Sequence, residues 1–183
     1  MPLLSDYARR KKIEYFLDPI PVDARILEIG SGDGWVGHYL RSQGRLGYRG
    51  LDLVPPAELV GDIRRWRDLG LEPDTFDVII AFEVVEHVDC FDACYDLLAP
   101  GGRLLLTSPV PRMDWVMKIL ERLRLNQRRS SPHDHLVDFH RVGRFERKQV
   151  RIVGGLSQWG IFEKRPAPKP SHPEPLPEPV GVG

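Results

Sequence analysis

Short apolar runs alternate with mixed stretches along most of this 183-residue chain. Five of them, at 25–29, 48–53, 58–63, 76–82 and 103–108, have strand length. Between and around them, 3–17, 35–42, 91–98 and 114–125 carry apolar residues at helical spacing. A strand–helix rhythm of this kind predicts a parallel sheet, because parallel neighbours need a crossover between them. The run at 76–82, FDVIIAF, is the most apolar, which places it centrally with both faces covered. Two last runs, 145–153 and 157–164, meet at Gly154-Gly155 and predict an antiparallel hairpin that closes a seven-stranded sheet. The stretch 54–59 holds Pro55-Pro56 and leaves no room for a full crossover helix, so a loop or single turn is expected there. The fold class is therefore α/β: a mostly parallel sheet with a C-terminal antiparallel hairpin and a shortened crossover after strand two.

Composition confines the domain to about residues 1–165. Seven of the positions from Pro166 to Gly183 are proline and none is aromatic. Such a stretch cannot bury enough apolar surface to offset its ordering entropy, and a disordered proline-rich tail is expected at 166–183. The remainder is long enough for one domain with its own core. Met1–Lys12 turns polar and basic before any apolar stretch, against a secretory leader, and no apolar run approaches the roughly 20 residues that span a bilayer. Cys90 and Cys94 are the only cysteines and lack a second Cys/His pair at zinc-finger spacing, so they read as reduced thiols in a cytoplasmic protein.

The net charge of zero hides an asymmetry. Residues 1–100 hold 11 Lys and Arg against 18 Asp and Glu, whereas 101–165 hold 14 against 6. Arg122, Arg124, Arg128 and Arg129 belong to the basic part, and guanidinium forks suit phosphate. A solvated basic helix is the simpler account, with an RNA partner as the alternative. Arg9-Arg10-Lys11-Lys12 reads as another solvated face.

The first strand runs Ile26-Leu27-Glu28-Ile29 into Gly30-Ser31-Gly32-Asp33-Gly34. Alternating glycines let a ligand approach main chain with no Cβ in the way, and leave N–H groups free at the start of the next helix. A dinucleotide fingerprint beginning at Gly30 would need glycine at 35, where Trp35 stands. Asp52 follows at the carboxyl end of the second strand, placed to accept two hydrogen bonds from a ribose diol. Gly61-Asp62-Ile63 follows the third, where an acid and a backbone amide can read an adenine edge.

In this order and spacing these segments, with Pro100-Gly101-Gly102 before the fifth strand, resemble class I S-adenosylmethionine (SAM) methyltransferases over residues 22 to 164. The resemblance implies a Rossmann-like fold with SAM as methyl donor. It implies that Glu28, Gly30 and Gly32 hold the methionine part, that Asp52 takes the ribose hydroxyls and Asp62 with Ile63 the adenine, and that Ser31, Gly34, Leu53 and Phe82 belong to the same cofactor site. Tyr7, Tyr15, Phe16 and Trp35 are expected to line the acceptor pocket, while Trp66, Trp115 and Trp159 pack. The acceptor is expected to be an oxygen of a small or medium polar molecule.

After the fourth strand comes Glu83-Val84-Val85-Glu86-His87, and later His133-Asp134-His135. Two carboxylates plus imidazoles make a donor set for Mg²⁺ or Mn²⁺. The pattern is similar to metal-dependent small-RNA 3′-terminal 2′-O-methyltransferases, and a related Glu-x-x-Glu-His unit occurs in ubiquinone-pathway O-methyltransferases. That likeness implies Glu83, Glu86, His87 and His135 as metal ligands. Without a metal, His87, Glu86 or His135 is the candidate acid–base group. The alternatives kept open are a metal-assisted RNA 2′-O-methyltransferase and a SAM-binding partner protein without transfer activity. No feature fixes an oligomeric state.

Overall fold

The computed structural model describes residues 2–110 and 137–165. Seven strands form one sheet in the order β3-β2-β1-β4-β5-β7-β6. They are β1 (Ile26–Ile29), β2 (Tyr48–Asp52), β3 (Leu59–Val60), β4 (Phe76–Phe82), β5 (Leu98–Pro109), β6 (Phe145–Val153) and β7 (Ser157–Lys164). Only β7 runs against its neighbours. β4 sits in the middle, where its run of β-branched side chains is covered on both sides.

Two apolar layers hold the sheet. On one face Ile79, Leu104 and Phe162 pack with Trp66, Phe139 and Leu97, the last from α3 (Phe91–Leu97). On the other, Ile26, Ile80, Leu105 and Trp159 meet Val36 and Leu40 of α2 (Trp35–Ser42) and Phe16 and Leu17. Phe16 and Leu17 come from a π-helical turn, Ile13–Leu17, which continues α1 (Pro2–Lys12) and is closed by the Asp18 N–H donating to the Ile13 carbonyl at 3.0 Å. Buried Arg45 ties the chain beyond that turn by donating to the carbonyls of Ile20 (2.8 Å) and Asp18 (2.9 Å).

The β2–β3 connection carries no helix, as the Pro-Pro pair requires. Two boundaries differ from expectation. The third strand is two residues long rather than the run 58–63, because Asp62 instead caps 3₁₀ turns over Ile63–Leu69 by accepting from the Arg64 N–H at 2.9 Å. β5 begins at Leu98, straight from α3, and not at 103. Leu98 pairs with Phe76, then the register jumps so that Arg103 meets Val78. Pro100-Gly101-Gly102 is thus an excursion within the strand, and Gly102 passes so close to Ala99 that a Cβ would lie 2.8 Å from its carbonyl oxygen. The basic helix expected at 114–125, with Trp115 and the arginines from Arg122 to Arg129, lies outside the described residues, as do His133, Asp134, His135 and the tail 166–183.

Phe162 is fully buried at the centre of one layer, whereas Leu46 is 80% exposed. Phe162→Ala is expected to cost about 3–5 kcal/mol in urea unfolding, and Leu46→Ala less than about 0.5 kcal/mol.

Candidate active site

The chain leaves β1 through Gly30, whose φ of +73° lies in the left-handed region. A Cβ there would come 2.5 Å from Val84 Cγ2, so glycine lets the turn after β4 close against the loop after β1. The N–H groups of Gly30 and Ser31 both donate to the Leu51 carbonyl at 2.8 and 3.1 Å, and that of Gly34 to Ser31 at 2.8 Å. The Gly32 N–H donates to Asp52 Oδ2 at 2.9 Å. The amides of Gly30, Ser31, Gly32 and Gly34 are thus spent on the shape of the loop itself.

The carboxyl ends of β1, β2 and β4 enclose a cavity of about 470 Å³. Six of the expected donor-binding residues line it: Gly30, Asp52, Leu53, Asp62, Ile63 and Phe82. Ser31, Gly32 and Gly34 lie instead around a smaller hollow of about 90 Å³. Glu28 lines neither. It is 3% exposed and accepts from the Tyr48 hydroxyl, for which Gly50, its pairing partner on β2, leaves room. Burial pushes the Glu28 carboxyl up to about 8 against the pull of that hydrogen bond, and Tyr48 is raised as well. Asp62 is different: the Arg64 guanidinium, hydrogen-bonded at 2.5–3.1 Å, holds its carboxyl below the usual range.

Beside the cavity, the ends of β4 and β5 form a polar cluster. Glu86 is 1% exposed and accepts from the Ser108 hydroxyl at 3.2 Å. Burial first, then the Glu83 charge, pushes its carboxyl up to about 7. Glu83 Oε1 accepts from the Thr107 hydroxyl at 2.8 Å and from the Lys12 ammonium at 3.3 Å. His87 lines the cavity with Glu83. The expected metal set does not assemble here: among the described residues no three His, Cys, Asp or Glu groups converge to hold an ion, and His135 lies outside them. Glu83 and Glu86 are committed to Thr107, Lys12 and Ser108 instead.

The aromatic residues divide. Trp35 stacks on cavity-lining Phe82 at 6.5 Å, but Tyr7 is 52% exposed and Phe16 is core. Tyr15 and Phe16 face a separate hollow of about 670 Å³ that holds none of the expected donor-binding, metal or acid–base residues. Trp66 and Trp159 are buried. Lys12, Thr107, Ser108 and Tyr48 were missed. The polar Thr107-Ser108 ending to an apolar strand was a usable signal, whereas Lys12 is hidden in a basic run.

A family model described as a methyltransferase domain matches residues 5–145. The chain belongs to that family, the class I SAM-dependent methyltransferases. Solved structures share the fold at low identity. The PH0226 protein of Pyrococcus horikoshii OT3 is 16% identical with a TM-score of 0.58, over 87% of this chain and 91% of that one. Geranyl diphosphate methyltransferase, solved with SAM, is 17% identical with a TM-score of 0.56, over 86% and 84%. In sequence, a ubiquinone biosynthesis O-methyltransferase of Xylella fastidiosa (strain 9a5c) is 34% identical over 116 residues, 53% of this chain and 47% of that protein. One from Xanthomonas euvesicatoria pv. vesicatoria (strain 85-10) is 31% identical over 105 residues, 46% and 43%. The chain thus matches a little under half the length of these relatives.

A carboxyl whose folded pKa lies above its unfolded value binds its proton more tightly when folded. The Glu28 contribution is therefore intact below its ordinary value of 4.5 and lost as pH rises through about 8. Urea unfolding at pH 5, 6.5 and 8 should show wild-type stability falling by a few kcal/mol, Glu86 adding in the same sense, and a flatter profile in Glu28→Gln.

Proposed function

We propose that this chain transfers a methyl group from SAM to a hydroxyl oxygen of a small or medium polar acceptor. The observation that carries this reading is the cavity at the strand ends, which the acids Asp52 and Asp62 line together with apolar Ile63, Val84 and Val88 and with Gly30. Such a lining fits an adenosine: acids for hydroxyl and amino hydrogens, and a greasy middle for the ring. Bound SAM supplies a methyl group already activated on a sulfonium, so the protein's work is alignment and exclusion of water.

In this reading Asp52 accepts from the ribose hydroxyls and Asp62 with the Ile63 amide takes the adenine edge. Leu53 and Phe82 wall the cavity, and Gly30 gives the methionine part passage. Ser31, Gly32, Gly34 and Glu28 shape the loop from behind. Glu86, poised near pH 7 with Ser108 donating to it, takes the acceptor's hydroxyl proton, and His87 on the cavity wall is the second candidate. Oxygen as the acceptor atom is supported by relatives named as O-methyltransferases. Those names give an RNA acceptor or a silent binding role no support. No helix among the described residues is long and apolar enough to cross a membrane. A cytoplasmic setting suits the two buried free thiols, Cys90 and Cys94.

Calorimetric titration with SAM tests the donor site. Asp52→Asn, which keeps an acceptor for the Gly32 N–H, should weaken binding about 10–100-fold through loss of a charged hydrogen bond. No binding by the wild type would overturn the reading. With hydroxylated aromatic acceptors, Glu86→Gln should lower kcat by about 10²-fold or more while SAM affinity stays within about threefold.

A further inference from the structure

Within the basic run that ends α1, Arg9 and Lys11 keep 43% of their side-chain exposure, as a solvated face would. Lys12 keeps 16%. Its ammonium lies 5.0 Å from the centroid of the Phe82 ring and 3.3 Å from Glu83 Oε1. A lysine gives up that much hydration only where its charge is matched. Both of its partners line the 470 Å³ cavity.

Glu83 is itself unusual. Its φ of 55° is left-handed, a conformation that a residue with a side chain holds only where its surroundings over-determine it. Here they do. The Glu83 N–H donates to the Thr107 carbonyl at 2.9 Å, the fully buried Thr107 hydroxyl donates to Oε1, and Lys12 donates to the same oxygen. Lys12 is also where α1 gives way to the π-helical turn that sends Phe16 and Leu17 into the core. One side chain therefore joins the seating of the leading helix to the strained turn of the cavity wall.

From this geometry we infer that Lys12 is a positioning residue for the donor cavity. Acting through Glu83, it holds the turn after β4 in its left-handed form and couples docking of α1 to filling of the cavity by an S-adenosyl ligand. The inference rests on the donor reading above. Two measurements on the whole chain, with Lys12→Met and Lys12→Arg, separate the two. The first is amide hydrogen exchange without ligand: residues 2–12 and 83–88 should exchange about tenfold faster in Lys12→Met and near the wild-type rate in Lys12→Arg. The second is calorimetric titration with S-adenosylhomocysteine: Lys12→Met should bind about 5–10-fold more weakly, Lys12→Arg within about twofold of wild type, and the ligand should slow exchange at 2–12 in wild type alone or with Arg. Unchanged exchange and affinity in Lys12→Met, with wild-type binding intact, would overturn this inference alone. Absence of binding by the wild type would overturn the donor reading and this inference with it. Weakening that Lys12→Arg fails to rescue would reduce Lys12 to a packing role and overturn it too.

Discussion

Val84 lies against the backbone of Gly30, where a Cβ would have come within 2.5 Å of its Cγ2. The two loops that meet there leave neighbouring strands, β1 and β4, at the same edge of the sheet. If they could not touch, the cavity would have no shared wall. The left-handed φ at Gly30 and at Glu83, one residue before Val84, turns both chains into that contact. The rest of the edge is arranged around it. Leu51 receives two N–H groups from the glycine loop, and Asp52 a third, so β2 is drawn into the same construction.

Charge at this edge is held in two ways. Glu28 and Glu86 are buried with hydroxyl partners, Tyr48 and Ser108, and burial favours their protonated forms. A buried carboxyl with only a hydroxyl partner is costly as an anion. Glu83 and Asp33, nearer solvent, meet cations of the leading helix, Lys12 at 3.3 Å and Arg9 at 2.7 Å, and Arg9 also lies 5.4 Å from the Trp35 ring centroid. Exposed pairs such as Arg9–Asp33 contribute little by themselves. The apolar anchor is the π-helical turn, with Phe16 against Phe82 and Trp159 at 5.2 Å each. From that anchored helix, Lys12 and Arg9 reach the loops after β4 and β1.

The chain shares its fold with the PH0226 protein and with geranyl diphosphate methyltransferase at 16–17% identity, so the fold tolerates replacement of most side chains. On the donor side, six of the expected residues line the cavity at the strand ends. Of the aromatic residues expected to meet the acceptor, Trp35 and Phe16 touch the cavity wall through Phe82, whereas Tyr7 is exposed and Tyr15 faces the separate hollow. A fold therefore tells less about the acceptor than about the donor.

Local pattern alone was enough for β4, β6, β7 and α2, whose observed bounds are those the sequence predicts, because the apolar period and the flanking breakers are written within each segment. The position of the glycine loop just after β1 and of Asp52 at the end of β2 was legible for the same reason. The third and fifth strands were misplaced because capping by Asp62 and a register jump against Phe76 decide their ends. The missed contacts, Glu28 with Tyr48, Glu83 with Thr107 and Lys12 with Glu83, span 20, 24 and 71 residues of sequence. Sequence determined the elements, since helix and strand follow from neighbours a few positions apart. Only the tertiary structure decided which carboxylates are buried and which are paired, because hydration and charge are set by side chains that arrive from other strands.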